Sequence, residues 1–209
     1  MQKLFIISII LCLSSCSHST FKAKWTKEKA PTSFIAKFET AKGDFEIEVT
    51  RAWSPQAADR FFQLLNHHYF DNTLFYRVVP DFVVQFGNTD TSITKKWERY
   101  KVQDEPVIKS NLKATLSFAR SGKDTRGGDL FINLKDNKRL DTINYNNVVG
   151  FPVFGTVIKG METVEAMYGG YGNNTMKVYD SLSSDRIKFL ALFPKLDAIK
   201  KAYVLSKSK

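Results

Sequence analysis

Between Phe75 and Gly87 the chain reads Phe-Tyr-Arg-Val-Val-Pro-Asp-Phe-Val-Val-Gln-Phe-Gly, with one arginine and one glutamine in an otherwise almost wholly apolar run. Burying a guanidinium among rings and aliphatic side chains is costly unless its donors are satisfied. Arg77 must therefore snorkel to the surface or line a cleft with an apolar floor. On a regular strand it shares a face with Phe75 and Val79. A cleft that sets aromatic rings beside one guanidinium and one amide suits a peptide, because apolar walls hold a side chain while a few polar groups orient the backbone.

Other chemistries find little support. The two cysteines, Cys12 and Cys16, both lie at the N-terminus. Once Cys12 is removed by processing, neither a disulfide, a cysteine metal site nor a cysteine nucleophile can be built. His67 and His68 are adjacent, so they point apart, and only Asp71 is close in sequence. They are expected to interact with a helix end rather than hold a metal. No metal and no cofactor is expected. The formal charge is +10, and only Lys3 of the basic residues precedes Cys16, so the excess belongs to the mature chain. With no nucleic-acid motif present, an anionic membrane surface is the expected partner of that charge, and nucleic acid is not.

The elements that must position the run are read from periodicity. Of 209 residues, 43% are hydrophobic and 25% charged, the range of an ordinary globular domain. Lys3, the apolar run Leu4 to Leu13 and the small residues Ser14 and Ser15 form an export signal, and about ten apolar residues are too few to span a bilayer core that needs roughly 20. From Phe34 the pattern is period two, with Phe34, Ala36 and Phe38 alternating with Ile35, Lys37 and Glu39, then a Lys42-Gly43-Asp44 turn and a second strand through Phe45, Ile47 and Val49. Ser54-Pro55 supplies an N-cap and first-turn proline to an amphipathic helix carrying Ala58, Phe61, Phe62 and Leu65. Further β-rich runs fall at Leu74–Val79, Phe82–Phe86, Ala114–Ala119, Asp129–Asn133 and Val153–Ile158. Gly160–Met167 reads as a second short helix. Gly172–Asp185 reads as a polar loop, and Pro194 opens a third helix to about Val204 with Leu196, Ile199 and Tyr203 as its apolar stripe.

Several separated motifs, in order, resemble the cyclophilin-type peptidyl-prolyl cis-trans isomerases of bacteria. They are the Phe75–Gly87 run, Ala114–Gly122 (Ala-Thr-Leu-Ser-Phe-Ala-Arg-Ser-Gly), Leu130–Asn133, Asp136-Asn137 with Leu140-Asp141, and Phe151–Met161. The resemblance spans about Phe34 to Met167. It implies a mainly β fold, a closed antiparallel barrel of about eight strands capped by two helices, with a C-terminal helical extension. Leu13-Ser14-Ser15-Cys16 resembles the lipobox of bacterial lipoproteins, which implies lipidation at Cys16. The expected organisation is a signal peptide over 1–15, a flexible tether over 16–32, the isomerase domain over 33–170, and a loop with a basic extension packing on the barrel over 171–209.

Carried over residue by residue, the resemblance implies that Arg77 and Gln85 are catalytic. It assigns Phe82, Val83, Phe131 and Leu140 to the walls of a proline pocket, and gives Ala119 and Arg120 backbone contacts to the substrate. Departures from the family pattern stand at Phe86, where Gly is usual, and at Val83, Asp129, Arg139 and Phe151. The implied activity is rotation of Xaa-Pro bonds in exported or envelope proteins, by a monomer anchored at the periplasmic side of the outer membrane. A peptide-binding chaperone or surface-binding lipoprotein with little turnover is the alternative, and a lipocalin-like barrel for small ligands fits the motif order poorly.

Overall fold

A computed structural model describes residues 21–87 and 91–208. The signal peptide, Cys16 and the first part of the expected tether lie outside the described residues. The alternation from Phe34 folds into a hairpin of β1 (Ser33–Thr40) and β2 (Gly43–Thr50), in a register that sets Phe34 against Val49, Ala36 against Ile47 and Phe38 against Phe45. All these side chains are buried. The Phe38 and Phe45 rings stack with centroids 4.8 Å apart, and burying one such ring contributes roughly 1.5–3 kcal/mol.

Helix α1 (Pro55–Asn66) follows, with Ala58, Phe61, Phe62 and Leu65 buried as their spacing requires. Its cap is not the expected one. The Ser54 hydroxyl donates to Glu105 instead, and the Glu105 carboxylate accepts the amides of Gln56 (2.8 Å) and Ala57 (3.2 Å). A carboxylate from a distant loop thus neutralises the positive end of the helix.

The chain continues through β3 (Arg77–Val79), β4 (Val83–Phe86), α2 (Thr91–Glu98), β5 (Thr115–Phe118) and β6 (Leu130–Asn133). A small hairpin of β7 (Asn144–Tyr145) and β8 (Val148–Val149) precedes β9 (Val153–Lys159) and α3 (Met161–Glu165). The last part comprises α4 (Tyr179–Ser184), α5 (Arg186–Leu192) and β10 (Ile199–Lys207). Eight strands form one antiparallel sheet in the order β10-β1-β2-β9-β5-β6-β4-β3, curled around the aromatic core.

The barrel expected from the sequence is not closed by a ladder. β10 and β3 are edges, joined across the seam by a bridge between Leu74 and Ala198, with Phe75 N–H donating to Asp197 O (2.9 Å) and Ile199 N–H to Thr73 O (2.8 Å). The expected strand Leu74–Val79 is shortened to Arg77–Val79, because its side chains do not alternate strictly. Phe75 and Val78 enter the main core, while Leu74 and Tyr76 pack with Leu182 and Phe189 in a second, smaller one. Arg77 therefore does not share a face with Phe75.

Further expectations are corrected. The C-terminal helix is a strand: β10 pairs antiparallel with β1, and a register shift between Glu39 and Thr40 lets Ile199 and Ala202, three residues apart, both face the core. The expected stripe is not one face, since Leu196 packs on the smaller core and Tyr203 donates its hydroxyl to Glu39 outside the core. From residue 21 the tether is packed. Phe21 meets Trp97 edge to face at 5.1 Å, Trp25 stacks on the His67 ring at 3.9 Å, and Ala30 N–H donates to Asp59 at 2.9 Å. His67 Nε2 lies 2.8 Å from Glu28 rather than serving its own helix end. The interspersed lysines suggested a solvated segment, but the two aromatic residues between them decide its fate. The loop expected over Gly172–Asp185 is largely helical, through a 3-10 turn at Asn174–Val178 and then α4.

Candidate active site

Strand register, rather than sequence proximity, assembles the site. Arg77 on β3 lies opposite Gln85 on β4, Gln85 opposite Phe131 on β6, and Phe131 opposite Ser117 on β5. Four residues far apart in the chain thus form one row across the sheet, at strand spacings of about 4.8 Å. Arg77 Nη1 donates to Gln85 Oε1 at 3.0 Å, and the guanidinium carbon lies 5.7 Å from the centre of the Phe82 ring. Burial pulls the Arg77 pKa below its ordinary value, with Tyr76 opposing; a guanidinium nevertheless stays cationic.

Beside this pair Val83, Phe131 and Leu140 form an apolar cluster separate from the main core, joined at its margin by Phe82, Ala119, Ile143 and Phe151. A cleft of about 770 Å³ opens over it, lined by Arg77, Gln85, Phe82, Val83, Phe131 and Leu140 among others. All six residues that the sequence proposed for catalysis or the proline pocket therefore meet in one place.

Ala119 and Arg120 also line the cleft, with a difference in role. The Ala119 amide donates to Asp129 O at 2.9 Å, so any backbone contact from Ala119 to a peptide must use its carbonyl. The Arg120 side chain braces the β7–β8 hairpin, donating to the carbonyls of Tyr145 (2.9 Å), Val148 (3.0 Å) and Gly150 (2.6 Å). It holds the cleft wall in place. A buried amide network supports the floor: Asn137 Nδ2 donates to Phe82 O (2.9 Å) and Asn133 Oδ1 (2.8 Å), and Asn133 Nδ2 donates to Thr115 Oγ1 (2.9 Å).

The departures divide by location. Phe86, next to Gln85, points the other way and packs against Phe38 (5.6 Å) and Phe75 (5.5 Å) in the core, so it does not intrude on the cleft. Gly87, at φ 118°, is required there, since a Cβ would meet Gly128 O at 2.1 Å. Arg139 lies over the Phe82 ring at 4.8 Å, which places a second cation on the rim. Asp129 is embedded between two phenols, with Oδ1 accepting from Tyr76 (3.0 Å) and Oδ2 from Tyr179 (2.7 Å). Burial raises its pKa to about 6 against the lowering effect of those two bonds.

Sequence reasoning missed Asn173, Met176 and Tyr179, which line the cleft from the segment between α3 and α5. They lie in what reads as a polar loop, and no local pattern aims them at Arg77 or Asp129. Among the described residues, no cluster of His, Cys, Asp and Glu could hold a metal, and no helix is long and apolar enough to cross a membrane.

The antiparallel sheet here presents Arg77, its amide partner Gln85 and an apolar pocket detached from the main core on one face. Residues 35–187 match the family described as cyclophilin type peptidyl-prolyl cis-trans isomerase/CLD, and the chain belongs to that family. It is similar to peptidyl-prolyl cis-trans isomerase A of Dickeya dadantii, 31% identical over 167 residues that cover 79% of this chain and 84% of that one. It is also similar to peptidyl-prolyl cis-trans isomerase CYP18-2 of Arabidopsis thaliana, 33% identical over 141 residues covering 66% and 82%. A crystal structure of a cyclophilin type isomerase from Cryptosporidium parvum shares the fold, with a TM-score of 0.61 at 22% identity over 84% of this chain and 99% of that one. The same protein has a structure in the presence of the dipeptide Ala-Pro, with a TM-score of 0.59 at 22% identity, covering 83% of this chain and 99% of that one.

Proposed function

We propose that this isomerase turns Xaa-Pro bonds of exported or envelope proteins with Arg77 as its catalytic group and the Val83, Phe131 and Leu140 pocket as its proline holder. The observation that carries the assignment is the Arg77–Gln85 pair set in register beside an apolar cluster detached from the core. The barrier to rotation, about 18–20 kcal/mol, comes from amide resonance that the prolyl nitrogen loses as the bond twists. A donor aimed at that nitrogen favours the twisted, pyramidal form over both planar ones, while the pocket fixes the ring and the rest of the peptide rotates. Neither nucleophile nor redox group takes part. Replacing Arg77 by Ala in an isomerase assay tests the role: the rate should collapse, and an unchanged rate would refute it.

The motif Leu13–Cys16 supports a lipid anchor at Cys16 after cleavage of residues 1–15, holding a monomeric domain at the periplasmic side of the outer membrane. Because Phe21 is already packed on Trp97, only residues 17–20 are left as linker, a reach of at most about 17 Å. The exposed Lys22, Lys24 and Lys27 would then face the lipid headgroups, where each cation near an anionic surface contributes about 1 kcal/mol. Cys16→Ser should move the protein out of the membrane fraction. Wild-type protein found soluble, with no mass added at Cys16, would overturn the anchor and leave the catalytic assignment untouched.

A further inference from the structure

Arg77 has five N–H donors and no acceptor, and what those donors do in the resting site determines which remain for a substrate. One of the Nη1 pair goes to Gln85 at 3.0 Å. The Nε–H goes to Asn173 Oδ1 at 2.8 Å, and an Asn side chain facing an arginine must present its oxygen there. The three donors left all sit on the two terminal nitrogens. With two edges held, the guanidinium plane can neither swing about the side chain nor turn its Nε–H toward the cleft.

Asn173 is well placed to act as such a clamp, because the segment that carries it is fixed on both sides. Its own turn is closed by Gly172 N–H to Gly169 O (3.1 Å) and Met176 N–H to Asn173 O (3.1 Å). Upstream, the Tyr171 ring lies edge to face with Phe193 at 5.1 Å. Downstream, Tyr179 donates to Asp129, the residue just before the strand that carries Phe131, and Leu182 and Phe189 pack with Leu74 and Tyr76, immediately before Arg77. The segment after α3 thus grips the same short stretch of chain from which Arg77 projects.

We propose that Asn173 is a positioning residue of the isomerase site, locking the guanidinium of Arg77 so that its free terminal N–H groups face the prolyl nitrogen. The inference rests on the catalytic reading of Arg77 and adds to it that the segment following α3 completes the active site. A residue that merely tied this segment to the sheet would affect stability and not the rate per bound substrate.

The test compares full-length variants on an Ala-Pro peptide, measuring peptide affinity and turnover separately. Asn173→Ala should lower turnover about tenfold, within the range that small misplacement of a catalytic group produces, while affinity changes less than about twofold. Asn173→Asp, which keeps an acceptor oxygen opposite Nε, should recover turnover to within about threefold of wild type. In an Arg77→Ala background Asn173→Ala should have no further effect. Wild-type turnover in Asn173→Ala, failure of Asn173→Asp to recover it, or an equal loss with Arg77 absent would each overturn the proposal while Arg77 remained catalytic. Full activity in Arg77→Ala alone would instead remove the reading on which it rests.

Discussion

Asp129 gives the clearest dependence on pH. Its carboxylate is embedded between the Tyr76 and Tyr179 hydroxyls, and burial raises its pKa to about 6 from an ordinary value of 3.8. Between these two values the folded protein keeps the proton and the unfolded chain gives it up, so the contribution of Asp129 to stability is greatest at low pH and is lost as pH rises through about 6. A shift of this size corresponds to about 3 kcal/mol in all, of which about 2.4 kcal/mol falls between pH 4 and pH 7. Other carboxylates act in the opposite direction: hydrogen bonds from Ser110 and Asn111 hold Asp141 below its ordinary value despite burial. The total pH profile therefore mixes signs, and the useful quantity is the difference between wild type and Asp129→Asn. That variant keeps an acceptor for one phenol and offers an N–H₂ to the other. Its advantage in unfolding free energy over wild type should grow by about 2.4 kcal/mol from pH 4 to pH 7, which for a chain of this length moves the melting temperature by roughly 5–10 °C. Thermal unfolding at constant ionic strength measures it. A difference that stays flat across this range, or a carboxyl ¹³C titration of Asp129 with its midpoint near 4, would refute the reasoning.

Phe131→Ala should weaken peptide binding at least about tenfold, because the proline ring is held in ground and transition states alike; a titration with an Ala-Pro peptide checks it. The same change should lower stability by about 3 kcal/mol, the low end for a buried phenylalanine, since its site opens on a cleft. Asn137→Ala leaves Asn133 Oδ1 without its bond from Asn137 and removes one support of the Phe82 carbonyl. It should destabilise by about 2 kcal/mol in urea unfolding and loosen the pocket wall, seen as weaker peptide binding. Truncation after Pro194 removes β10, which leaves β1 an unpaired edge and takes Ile199 and Ala202 out of the core. It should cost more than about 5 kcal/mol and abolish soluble folded protein, where a C-terminal helix resting on the surface would have been dispensable.

The parts of this molecule legible in the sequence are those whose side-chain pattern and backbone agree locally. The β1–β2 hairpin, α1 and the short strands around the cleft followed from period and turn residues. Phe82, Val83, Phe131, Leu140 and the Arg77–Gln85 pair were singled out by motif order, while their convergence on one cleft depends on strand register that no short window contains. The errors have physical causes. Leu196, Ile199 and Tyr203 imitate a helical stripe but serve different surroundings: Leu196 packs on the smaller core, Ile199 enters the main core, and Tyr203 donates its hydroxyl to Glu39. Phe75 and Val78, three residues apart, both enter the main core, which strict alternation along the expected strand Leu74–Val79 does not allow. Lysines around Phe21 and Trp25 made a packed segment resemble a tether. Asn173 and Tyr179 acquire their roles solely through contacts with Arg77 and Asp129, about 96 and 50 residues away in sequence.

The central claim is that Arg77 stabilises the twisted prolyl bond and not the bound peptide. NMR exchange spectroscopy on an Ala-Pro peptide tests it most directly, because affinity and interconversion rate are read in one sample whose uncatalysed exchange takes roughly 10 to 100 s. Wild-type protein should bind the peptide and accelerate exchange by orders of magnitude. Arg77→Ala should keep the fold and an affinity within about threefold, yet lose on the order of 2 to 4 kcal/mol of transition-state stabilisation, a factor of about 30 to 1,000 in rate. Binding without acceleration by the wild type, or normal turnover in Arg77→Ala, would contradict the account.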